Sequence, residues 1–524
     1  MLPKGDRLPL NEVALLRAWI DQGLQWEKGF TFAKFRNAPL TPRKVDLLEG
    51  PEPNPIDRLL SPYYKKHNLD PKLSVSDGVY VRRAFLDTIG LLPSSAEVTK
   101  FSAEKNEEKR GRLVSELLND NERYAEHWIT FWNDCFRNSY TRQYHGGGGK
   151  KITDWLRKSL IENKPYDQFV RELINPVNGS DGFIKGIVWR GTVNASQVAE
   201  MQAAQNVAQV FLGLNIKCAS CHDSFINDWT LKQTYALASI FSDGPMDIHR
   251  CNKPTGEKAS PAFLYPELGN VDPKASRSER VKQLSGIITS PKNGRLARTA
   301  VNRLWAIFLG RGLVEPVDEM DNPSWNQDLL DWLAVDLVNH SYDLKRTINL
   351  ILTSNAYQRP SVTFDEDAEY IFEGPVVRRM SAEQFLDGID HVILAANSDA
   401  KDRDTGRKRA GMRNLDRLMR TLGRPKRDVV VTRRESTATT AQLIELSNGK
   451  PLADLMARGG QEWVKQRKGS ESIIGSIFSS ALGRLPSRLE IKTAHKIVGD
   501  PINAKGVEDL LWMLAMHPEF QLIH

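Results

Sequence analysis

Cysteine is scarce in this chain, with four in 524 residues, at positions 135, 218, 221 and 251. So few cannot knit a disulfide framework. Long apolar runs are missing too: no stretch approaches the ~20 residues of a membrane-spanning helix, so no span is expected. The opening MLPKGDRLPL has neither the basic n-region nor the apolar h-region of a secretory signal. No G-x-S-x-G elbow occurs, so the HGGG within YHGGGGKK (144–151) is a flexible loop and not an esterase oxyanion loop. GGGGK also lacks the second glycine spacing and the Ser/Thr of a phosphate loop. Paired carboxylates or a nucleophile–base spacing that would mark a hydrolase or oxidase are absent as well.

What is present is ordinary for a globular protein, with 40% apolar and 26% charged residues. The length exceeds what one core holds, so two or more domains are expected. The net charge of +7 is uneven: 401–435 carries 13 Lys/Arg against 5 Asp/Glu. That segment has no aromatic residue for base stacking, so nucleic acid is not the expected partner. It reads as a solvated, partly flexible basic insertion, with contact to an acidic polymer or surface as the alternative.

The periodicity predicts a mainly α fold, two helical domains joined by a long irregular linker. Val13, Leu16, Ile20 and Leu24 recur at helical spacing, with Gly23 as a stop. Ser94 with Glu97, and Ser381 with Gln384, form capping-box starts. Tyr124, Trp128, Phe131, Trp132, Cys135 and Phe136 share one helical stripe, expected to be core. A helix over Asn194–Leu212 closes at Gly213. A stretch rich in Pro, Gly and Lys follows from about Gly244 to Ser276, and no clear strand pairs appear.

The chemistry-bearing stretch is FLGLNIKCASCHDSFINDWT (211–230). Cys218, Cys221 and His222 form Cys-x-x-Cys-His, the spacing of covalent haem c attachment: two thiols for the porphyrin vinyl groups and one imidazole for the iron. Phe211, Leu212, Leu214, Phe225 and Trp229 could supply apolar walls. Met246 and His249 are the nearest downstream candidates for a distal ligand, with Met201 on the preceding helix. A five-coordinate iron is equally open. The rival reading is zinc, held by Cys218, Cys221, His249 and Cys251. A redox pair lacks the βαβ surroundings it needs.

VRRAFLDTIGLLPS, AQVFLGLNIKCASCHDSF, NRLWAIFLGRGLVEPVDEMDNPS, YDLKRTINLILTSNAYQ, RRMSAEQFLDGI, LGRPKRDVV and LLWMLAMHPEF, in that order, resemble the planctomycete cytochrome c-associated proteins. Those pair a haem-motif domain (PSCyt type) with a second domain (PSD type), both of unknown function. The resemblance implies a PSCyt-type domain at 54–243, a linker at 244–276, and a PSD-type domain at 277–524 carrying the 401–435 insertion. Residues 1–29 resemble the tail of a planctomycete cytochrome c module, followed by a linker at 30–53. There Met1 matches the distal haem ligand, and the attachment motif of that module would lie upstream. The resemblance therefore implies an N-terminally shortened chain, exported to the periplasm or cell surface. Two positions depart from the family pattern: Asp223-Ser224-Phe225 stands for Asp-His-Pro, and Trp325-Asn326 for His-Pro. The leading expectation is a haem-bearing electron-transfer or redox-sensing protein with His222 as proximal ligand and an unknown redox partner protein. The alternative is a non-catalytic cell-surface scaffold with CASCH as a structural zinc or disulfide site.

Overall fold

The computed structural model describes residues 9–22, 38–138, 148–177, 179–185, 187, 197–365, 368–396, 408–465 and 469–524. Two compact units divide it, Met1–Asn37 and Ala38–His524. The first holds the helix Leu10–Asp21, with Leu15 and Leu16 exposed. The expected stop at Gly23 lies outside the described residues, as does Met1.

The second unit is mainly α, in two helical regions joined by a stretch that holds one short hairpin. Local chemistry sets the helix starts. Both expected capping boxes are formed, at Ser94–Glu97 and Ser381–Gln384, each satisfying two main-chain donors at once. Asn326 caps the helix Gln327–Asn339 by accepting from Leu329 N at 3.0 Å. The helix expected over 194–212 runs Ala199–Leu212, and residues 194–196 lie outside the described residues. Residues 144–147 of the glycine loop also lie outside them, while Gly148 opens the helix Gly148–Ile161.

Among the described residues, the strands form two short antiparallel pairs: Met246–Arg250 with Lys253–Ala259, and Arg378–Arg379 with Leu522–Ile523. The first pair corrects the expectation of an irregular linker at 244–276. It turns at Cys251, whose φ is 54°. Only Ile248 of the hairpin is buried, so no apolar alternation betrays the strands in sequence.

Two cores fill the unit. One runs from Ile56 to Phe372 with Val430, and so draws on both helical regions. The aromatic stripe lies in it as expected: Tyr124, Trp128, Trp132, Cys135 and Phe136 are buried, with Phe131 packed alongside. Its rings meet edge-on or stacked, as in Trp128–Phe308 at 5.9 Å and Trp132–Phe136 at 5.5 Å. The other core runs from Met380 to Ile523 with Leu86 and Leu92. The helix Asp77–Thr88 serves both, giving Tyr80, Val81, Ala84 and Phe85 to the first and Leu86 to the second.

Buried arginines lock these elements. Arg82 donates to the carbonyls of Ala481 and Phe520 at 2.9 and 2.8 Å, and Arg83 to those of Tyr357, Arg359 and His524. Burial pushes both guanidinium groups down to about 10, which leaves them charged at neutral pH. The helix Gly294–Leu309 carries Arg295, Arg298 and Arg303, each buried and each paired with an aspartate: Asp321, Asp331 and Asp318. No helix of the described residues is long and apolar enough to cross a membrane.

Gly213 closes Ala199–Leu212 at φ 60°, and a Cβ there would stand 2.3 Å from Met320 Cγ. Gly213→Ala combines a left-handed backbone with overpacking, and is expected to cost about 2–4 kcal/mol in urea denaturation. Gly475→Ala, in the open interior of Ser470–Leu482, is expected to be neutral or to stabilise by up to ~1 kcal/mol.

Candidate functional site

The CASCH turn begins where Gly213 stops the preceding helix. Residues Cys218–Ser220 form one 3₁₀ turn, in which Cys221 N donates to Cys218 O at 3.3 Å and His222 N to the same oxygen at 3.5 Å. Ala219 and Ser220 are buried under it, while Cys218 and Cys221 are half-exposed and their thiols are free. The turn is pinned on two sides. Asp223 Oδ1 accepts from Leu231 N at 2.9 Å, at the start of the helix Leu231–Ser239. Cys221 O accepts from Cys251 N at 3.0 Å, which sets the hairpin beside the motif.

His222 is oriented by its own neighbour: Nδ1 lies 2.7 Å from Asp223 O. A carbonyl only accepts, so Nδ1 carries the proton and Nε2 keeps the lone pair. The Phe225 ring lies 4.4 Å from the imidazole, tilted by 33°. Of the expected apolar walls, Phe211, Leu212, Leu214 and Trp229 are buried as a floor behind the turn. Phe225 is instead 84% exposed, with Ile226 beside it 52% exposed.

The other expected ligands are placed as follows. Met246 and His249 share one hairpin strand. Met246 packs half-buried against the first core, and His249 Nδ1 donates to Asp247 O at 2.9 Å. Met201 is fully buried and belongs to the core. Cys251 is exposed with a free thiol. Among the described residues, no three His, Cys, Asp or Glu side chains gather as a metal site, so the Cys218, Cys221, His249 and Cys251 set is not drawn together, and no disulfide links the cysteines.

A second feature escapes sequence reading. A cleft of about 1080 Å³ opens between the helix Asn121–Cys135, the end of Gly294–Leu309, the strand Arg378–Arg379, the start of Ala382–Leu394 and residues 431–437; its lining includes none of the CASCH residues. Apolar side chains such as Trp128, Phe131, Ile307 and Val377 share its walls with a set of ion pairs. Arg434 reaches Asp134 at 2.7 Å and grips Glu383 with two bonds of 2.6 and 2.9 Å. Arg427 joins Asp134 at 2.7 Å, and Arg424 stands 3.3 Å from Glu383. Asp87 holds Arg378 at 2.7 and 2.8 Å, Asp387 holds Arg409 at 2.7 Å, and Glu315 holds Arg433 at 2.7 Å.

The described part of the basic segment, 408–435, is a clasp in part, while Lys408, Arg417, Arg420, Lys426 and Arg433 are exposed as a solvated insertion would have them. Arg424 and Arg427 are buried, and Arg434 meets carboxylates 300 and 51 positions away along the chain. Linear reading sees the cations and misses their partners. His127 also lines the cleft, hydrogen-bonded to the Asp87 main chain. Burial, helped by Arg409, pushes its imidazole down to about 3, so it is neutral at physiological pH.

Burial alone would raise the Glu383 carboxyl, but Arg434, Arg424 and Arg427 outweigh it and hold the group at about 2. Against an unfolded value near ~4.3, this contributes on the order of 3 kcal/mol above pH ~4.3, lost as pH falls toward 2. Glu383→Gln is therefore expected to cost about that much or more at pH 7, because it also leaves buried guanidinium groups short of a partner. Urea denaturation at pH 7 and pH 3 checks this: the gap between wild type and variant should narrow at the lower pH, and a constant gap contradicts it.

Comparison with known proteins identifies domains and no activity. No curated protein and no solved structure matches the chain. Residues 55–245, which hold CASCH, match PSCyt2, a protein of unknown function (DUF1549). Residues 280–498 match PSD1, a protein of unknown function (DUF1553), and the cleft draws its walls from both matched regions. The chain thus carries a PSCyt2 domain followed by a PSD1 domain, a pair of domains of unknown function.

Proposed function

We propose that this protein is a c-type haem-binding protein for electron transfer or redox sensing, with haem attached at Cys218 and Cys221 and His222 as its proximal iron ligand. The observation that carries the reading is the orientation of His222: with Nδ1–H committed to Asp223 O, Nε2 is the nitrogen left to bind a metal. The donor set fits. Both thiols are free and half-exposed at the two ends of one short turn. Each thiol would hold the group by one thioether bond, its S–H adding across a vinyl double bond with nothing else released. Phe225 and Ile226, exposed beside the imidazole, offer apolar cover to a macrocycle. When bound, the haem supplies one-electron exchange between ferric and ferrous iron. The chain's part is to hold the turn still, through Leu231 N on Asp223 and Cys251 N on Cys221 O.

Met246 or His249, on the adjoining hairpin strand, would be the candidates to hold the iron from the other side, with a five-coordinate iron equally open. The redox partner is a second protein, and the working location is the periplasm or cell surface, in keeping with the family resemblance. Residues 1–29 are the tail of a planctomycete cytochrome c module in the same reading.

Coexpression with a cytochrome maturation system tests this. The purified chain should give a pyridine haemochrome band and the mass of one haem. Cys218→Ser with Cys221→Ser should abolish both, while His222→Ala should keep the mass and change the visible spectrum. A chain with both thiols free and no haem mass would overturn the reading, and one tightly held zinc per chain would favour the scaffold.

A further inference from the structure

The cleft calls for its own occupant. Nearly all its carboxylates are already neutralised: Asp87, Asp134, Glu315, Glu383 and Asp387 each have a guanidinium within 2.9 Å. Glu126 has Arg409 at 3.8 Å, and Glu435 is exposed to solvent. Arg424 and Arg427, which are not in the lining, add positive charge behind Glu383 and Asp134.

Besides Glu435, the wall charges outside ion pairs are two arginines. Arg311 lies over the rings of Phe364 and Tyr370, 4.5 and 4.7 Å from their centroids. Arg379 gives one N–H to Gln442 Oε1 at 2.7 Å. Neither has a carboxylate within 4.0 Å among the described residues, and both are half-exposed on the cleft wall. A guanidinium already packed on aromatic rings, as Arg311 is, has less freedom to lose when it binds, and its planar fork matches the two oxygens of a carboxylate or phosphate. His127 adds a neutral ring to the same wall. The volume of about 1080 Å³ is slightly above the usual range of small-molecule sites and leaves room for an organic molecule.

We propose that the cleft binds an organic anion through Arg311 and Arg379, its recognised group being a carboxylate or a phosphate. The proposal is independent of the haem reading, since the cleft and CASCH share no residue.

Calorimetric titration of the full chain with citrate, with pyrophosphate and with neutral sorbitol tests it. Saturable binding of at least one anion, weaker at high salt, with none for sorbitol, is expected. Citrate alone identifies carboxylate as the group, pyrophosphate alone phosphate, and both the shared oxyanion. Arg311→Met and Arg379→Met, which keep the apolar stems, should each weaken binding about tenfold or more. The wild type provides a check free of folding effects. Phenylglyoxal should modify Arg311 and Arg379 ahead of the paired Arg378 and Arg434, and the bound anion should slow it. No saturable binding of either anion, unchanged affinity in both variants, or labelling indifferent to the anion would each overturn the proposal.

Discussion

Arg434, shared between Asp134 and Glu383, is the interaction on which the rest of the architecture depends. Taking a guanidinium and two carboxylates out of water costs several kcal/mol per ion, and half-paired charges would make the site a defect. The chain meets that cost by completing the set: Arg427 on Asp134, Arg424 on Glu383, and a two-bond grip on Glu383. Asp134 belongs to the PSCyt2 region and the other members to the PSD1 region. The two matched regions are thus joined by charge as well as by the shared first core.

The network lines one side of the cleft, whose other walls are largely apolar. The same economy governs the arginines elsewhere. Arg82 and Arg83 terminate main-chain carbonyls from the far C-terminus, and Arg295, Arg298 and Arg303 neutralise a set of aspartates. Some of the cations of 408–435 are therefore internal structure: Arg424, Arg427 and Arg434 meet carboxylates of distant segments, while five others stay exposed.

What the sequence disclosed was local. Capping boxes need four adjacent residues, a C-terminal glycine needs one, and the aromatic stripe repeats within a single helix; the two boxes, Gly213 and the stripe are found where expected. CASCH was visible for the same reason, and its turn has the short-range hydrogen bonds that its spacing suggests. The hairpin at 246–259 was hidden because Ile248 is its one buried residue, with Met246 and Ala259 only half-covered by the core. The cleft was hidden because its pairs span up to 300 positions. Trp325-Asn326 gained meaning only in the fold, where Trp325 stacks on Phe372 at 5.3 Å and Asn326 caps a helix.

The two candidate sites differ in kind: CASCH is a surface turn made by consecutive residues, while the cleft exists only if distant segments are clasped. The clasp is thus the claim to test, and hydrogen exchange of Arg434→Met against wild type tests it most directly. If Arg434 ties the regions together, exchange should rise to a similar extent in Asn121–Cys135 and Ala382–Leu394, on opposite sides of the pair. A rise confined to 408–435, with both helices as protected as before, would contradict the account.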